Sequence, residues 1–261
     1  MLGTCDADEK SPISLRRNLR CPEVGTPAPG YLFWKVVIES KLRNMAVVFE
    51  LLLVFVVAGC LLALSSGSGR LTSPVIVPLV LVMGSLLANF VHRGRLADLG
   101  LCWGSWVEGL RLLALVCIGS FFLLFVCLWG CRLLDLRWPL SAKPPTDRRL
   151  WWMLFQFTHV AFPEELFFRG YVQARIGCLG RTICSKNSLF PQVFAIIVAA
   201  FVFALIHALM WKNAACMLTF FPGLVLGWLF LQTGSLLTPV LFHGIANIGY
   251  GMMVVNILGW H

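Results

Sequence analysis

Charge is scarce in this sequence, and negative charge stops partway along it. Asp, Glu, Lys and Arg make up 13% of the 261 residues, against about a quarter in a soluble domain. No Asp or Glu follows Glu165. With 59% of its residues hydrophobic, the chain would expose too much apolar surface in water, which excludes a soluble fold and makes lipid its natural solvent. Metal and redox signatures are missing too. The ten cysteines include no Cys-x-x-Cys pair, and His-Glu-x-x-His does not occur, so neither a zinc ribbon nor a thioredoxin-type site is written here. There is no internal repeat, and no short apolar run follows the first Met as a cleaved signal would require. The net charge of +9 would suggest nucleic acid in a soluble protein. Here Lys and Arg sit in loops and at segment ends, where they meet anionic headgroups and set topology, so no nucleic-acid partner is expected.

What is present is a series of apolar segments. Residues 1–43 form a polar, Pro- and Gly-rich tail followed by an interfacial helix at 31–43. Residues 44–261 form one transmembrane domain. Its apolar spans fall at about 45–65, 74–91, 109–130, 150–175, 192–211, 214–231 and 236–258. Residues 95–108 read as interfacial, with Trp103 and Trp106 at headgroup depth. The fold class is therefore all-α, a multi-pass bundle of about seven to eight helices, with the chemistry concentrated at about 149–258. Basic residues in the tail and in the 92–95 and 175–186 loops place the N-terminus in the cytoplasm. The 132–149 loop is also basic and would then lie outside, which conflicts with that rule.

Three polar clusters interrupt the apolar spans. The first is Pro163-Glu164-Glu165-Leu166-Phe167-Phe168-Arg169. Each charge at mid-membrane costs roughly 2.5–3.5 kcal/mol on insertion scales, so three together cost about 7–10. Glu165 and Arg169 are four residues apart and can pair on one helix face. A salt bridge that merely joins helices explains those two but not Glu164, which points about 100° away and needs a partner elsewhere. Pro163 is expected to kink or restart the helix, placing both glutamates in a first turn. The second cluster is Phe203-x-x-x-His207; a lone buried His is more often a hydrogen-bonded core residue than a catalyst. The third is His243-Gly244-Ile245-Ala246-Asn247, whose His and Asn share a face while the small residues permit close approach. Together these supply Glu164 as a base, His207 and His243 as acid–base or donor groups, and Asn247 as a neutral donor, the parts that peptide hydrolysis requires.

In this order, Glu164-Glu165-x-x-x-Arg169, Phe203-x-x-x-His207 and His243-x-x-x-Asn247 resemble the EExxxR, FxxxH and HxxxN/D motifs of the CAAX protease and bacteriocin-processing (CPBP) family of intramembrane endopeptidases. The surroundings FPEELFFRGYVQ and GLVLGWLFLQTGSLLTPVLFHGIANI are similar as well. The resemblance covers about 149–250. It implies a glutamic mechanism in which Glu164 and His207 activate water, His243 and Asn247 hold the oxyanion, and Glu165 and Arg169 shape the site. It also implies a membrane-embedded or lipidated protein or peptide substrate, an integral protein of the cell (inner) membrane, and no cofactor. Three readings compete. A zinc protease would use Glu164, His207 and His243 as ligands. A proton-coupled transporter would use them as a relay. An idle family member would act as an immunity or scaffold protein.

Overall fold

The computed structural model describes residues 73–91, 95–102, 104–140, 144–145, 147–183 and 189–259. The expected tail, the interfacial helix at 31–43 and the first span at 45–65 lie outside the described residues.

The described residues form an all-helical bundle of six helices. Helix α1 is Ser73–Val91. A short 3-10 turn at Leu96–Leu99 leads into α2, Trp106–Leu133. Residues 149–183 make one continuous helix, α3, in which ordinary α turns alternate with two wider π stretches, Gln156–Ala161 and Leu166–Gln173. Helix α4 is Phe190–Met210. A 3-10 turn at Ala214–Thr219 opens into α5, Phe220–Thr233, and α6 is Leu237–Leu258. Among the described residues, four stretches are long and apolar enough to cross a membrane: Trp106–Leu133, Phe190–Met210, Ala214–Thr233 and Leu237–Leu258. The protein is an integral membrane protein. Large apolar side chains cover its outside, among them Phe122, Leu115, Phe201 and Phe221, as expected where lipid replaces water.

Helix α3 runs through the middle and touches α1, α4, α5 and α6. Its segment 166–173 is buried without exception, and Leu166, Phe167, Phe168, Tyr171 and Val172 form the main core with Ala199 and Phe203 of α4, Phe230 of α5 and Leu99. Leu99 adds to the interfacial reading of 95–108, since the segment 95–102 packs against the core there. The turn between α5 and α6 docks on it: the Leu236 N–H donates to the Gly100 carbonyl at 2.9 Å and the Ser235 hydroxyl to the Cys102 carbonyl at 2.6 Å. Gly234 makes that turn possible, because its φ of 63° lies in the left-handed region that side chains disfavour.

Of the kink or restart expected at Pro163, the restart does not occur. Backbone angles stay right-handed helical through Ala161, Phe162, Glu165 and Leu166. A proline removes one N–H and its ring collides with the carbonyl four residues back. The wide stretch before it shifts the pairing, so that the Phe162 N–H donates to the Phe157 carbonyl, five residues back. The loosened ladder accommodates the ring without a break.

Candidate active site

Glu165 and Arg169 pair as the spacing predicts. The Arg169 Nη1 donates to Glu165 Oε1 at 3.1 Å, and both side chains are wholly buried. The same carboxylate oxygen faces His243 Nδ1 of α6 at 2.8 Å. A carboxylate only accepts, so the imidazole proton on this side sits on Nδ1 and Nε2 is turned the other way. Arg169 continues the chain with Nη2 donating to the Gly223 carbonyl of α5 at 3.2 Å. One turn further, Gln173 Nε2 donates to the Gly227 carbonyl at 3.0 Å. Gly223 and Gly227 are bare where neighbouring helices press close: a Cβ on the second would sit 2.8 Å from Gln173 Oε1. An isolated guanidinium in lipid is costly; here it is held by a carboxylate and a backbone carbonyl, and its plane lies 4.7 Å over the Phe203 ring, a favourable cation–π contact.

Glu164 points elsewhere, as the helix geometry requires. Its Oε2 lies 3.8 Å from His207 Nε2 of α4 and 3.8 Å from His243 Nε2 of α6. These separations exceed hydrogen-bond length, and Oε2 has no hydrogen-bond partner among the described residues. The Glu164 and His207 side chains keep 19% and 21% exposure, against 0% for Glu165. The two glutamates thus live in different surroundings, one paired and dry, the other open on one side.

Phe203 explains both ends of its motif. Its carbonyl meets His207 Nδ1 at 2.9 Å; a carbonyl cannot donate, so Nδ1 carries a proton and Nε2 faces Glu164. Its ring lies 4.3 Å from the His207 ring and 5.9 Å from the His243 ring, a flat wall between the two imidazoles.

Asn247 lies one turn beyond His243 on the same face of α6. Its Nδ2 donates to Gln156 Oε1 of α3 at 3.1 Å. Gln156 was not among the candidates read from the sequence; the available signal was a polar side chain in an apolar span eight residues before Glu164. Gly244 permits close approach, as its size suggests. A Cβ there would meet the Phe157 ring at 2.3 Å, so α3 and α6 touch at this point only because the side chain is missing. Among the described residues, no three His, Cys, Asp or Glu side chains are grouped to hold a metal ion.

Helices that wall off a polar cluster inside an apolar bundle define an integral membrane protein with a buried site of carboxylates and imidazoles. Residues 146–249, which carry all three motifs, match the family model described as type II CAAX prenyl endopeptidase Rce1-like. That family points to a peptidase acting on a membrane-associated peptide in a bilayer. No curated protein and no solved structure matches the chain.

Proposed function

We propose that this chain is an intramembrane endopeptidase that hydrolyses a peptide bond of a lipid-anchored or membrane-embedded protein by direct attack of water, in the cell (inner) membrane. The observation that carries the reading is that imidazole Nε2 atoms from two different helices both lie 3.8 Å from one Glu164 oxygen. One water oxygen set about 2.8 Å from that carboxylate also reaches an imidazole.

In this reading Glu164 is the general base, with the His207 lone pair beside it to share the proton. The other carboxylate has a different task. Glu165 already accepts from Arg169 and His243, which leaves it poorly placed to touch the water and well placed to stabilise His243 as an imidazolium. A protonated His243 presents Nε2–H to the developing oxyanion, and Asn247 supplies a second N–H. The proton taken from water then passes to the departing amine. Arg169 holds the Glu165 carboxylate in place. No metal takes part in this scheme. The substrate class follows from the setting: a peptide delivered laterally in the bilayer on a lipid anchor such as a prenyl group.

The test uses the full-length protein in lipid nanodiscs with a quenched fluorescent peptide that carries a prenylated cysteine near its C-terminus. Glu164→Ala, His207→Ala and His243→Ala each abolish cleavage while the protein stays folded. Retained cleavage in all three variants refutes the assignment. Inactivation by a chelator with recovery on added zinc would replace the water-only scheme with a zinc enzyme on the same residues.

A further inference from the structure

Two polar rungs join α3 to α6. Glu165 meets His243 at 2.8 Å, and Gln156 meets Asn247 at 3.1 Å. Gln156, the α3 side of the second rung, belongs to none of the three motifs. In an ideal α-helix, eight residues leave the side chains of 156 and 164 about 80° apart. The wide stretch Gln156–Ala161 lies between them and takes up part of that angle, so that Gln156 and the glutamate pair both address α6.

The chemistry of a carboxamide gives this rung a purpose. Asn247 has an oxygen end and a nitrogen end of almost the same shape. A flip would aim a carbonyl oxygen at a developing oxyanion and destabilise it. Gln156 Oε1 accepts one of the two Nδ2–H bonds and so selects the nitrogen end, leaving the second N–H on the same atom for the substrate. We propose that Gln156 is a positioning residue of the hydrolytic site: it fixes the Asn247 carboxamide so that an N–H faces the scissile carbonyl. This inference rests on the peptidase reading above.

The experiment measures kcat and KM on the prenylated fluorescent peptide, with full-length protein in nanodiscs. Gln156→Met has similar length and no acceptor. It lowers kcat by about 10- to 100-fold and leaves KM within about twofold, less than the about 10²–10³-fold that loss of an oxyanion donor itself costs. In an Asn247→Ala background the same substitution changes kcat by less than about twofold, because there is no carboxamide left to orient. If Gln156→Met does not fold, Gln156→Leu takes its place in both backgrounds. An unchanged kcat in the otherwise wild-type protein overturns the proposal, as does a loss of equal size in both backgrounds, which marks a packing role. Wild-type protein that cannot cleave the peptide overturns the peptidase reading and this inference with it. Wild-type protein that cleaves it and tolerates Gln156→Met overturns this inference alone.

Discussion

Helices α2 and α3 are built by opposite rules. Of the 28 residues of α2, only Gly109, Leu113 and Leu128 are buried. All eight residues of the wide stretch at 166–173 in α3 are buried, including Arg169 and Gln173. One helix is a lipid-facing stave with regular α turns, and many side chains of similar size would serve. The other trades regular pairing for reach, directing two carboxylates, a guanidinium and two carboxamides to partners on three neighbouring helices. The comparison teaches that in this bundle hydrophobicity fixes where a helix lies, whereas departures from α geometry fix what it can do.

Loss of the buried ion pair in α3 costs the most. Arg169→Leu strips Glu165 of its buried partner and leaves an uncompensated carboxylate, at a cost of about 3–5 kcal/mol. Thermal unfolding in nanodiscs shows it as a large drop in midpoint, and cleavage is lost as well. A variant of unchanged stability would mean that the pair is not dry in the folded protein. Next comes Gly244→Ala, whose Cβ would run into the Phe157 ring. Overpacking of that kind costs about 1–3 kcal/mol, and because it pushes α3 from α6 the cleavage rate falls by more than stability alone explains. Phe157→Ala in the same chain restores part of both. The smallest effect is expected on the lipid face. Phe122 of α2 is 70% exposed, and Phe122→Leu shifts unfolding by under about 0.5 kcal/mol. A larger loss would show that this face packs against protein rather than lipid.

Much of this division was legible in the sequence. Apolar run length alone located the spans at 109–130, 192–211 and 236–258 to within a few residues, since bilayer thickness sets their size, and it located the helix at 74–91 as well. The spacing of Glu165 and Arg169 foretold their pairing, and the divergence of Glu164 foretold a partner on another helix. What failed to show was backbone register. Pro163 signals a local break, but whether a chain breaks or loosens by one residue per turn depends on the packing around it, and here α6 closes on Gly244 and Phe157. The bond between Gln156 and Asn247 spans 91 positions, and nothing local to either residue names the other. The docking of Gly100 and Cys102 under the α5–α6 turn was hidden for the same reason, and two tryptophans nearby gave no hint that Leu99 enters the core. The span near 214–231 proved to be a 3-10 turn followed by a shorter helix, because apolar content does not report pitch.

The central claim is that the Glu164 carboxylate, facing two imidazoles, carries the reaction. Replacing one oxygen by nitrogen tests it most directly. Glu164→Gln keeps the size and burial of the side chain and removes its capacity to take a proton. Cleavage of the prenylated peptide in nanodiscs falls by at least about 10²-fold while the unfolding midpoint stays at the wild-type value. Cleavage within about twofold of wild type in the Gln variant would contradict the account.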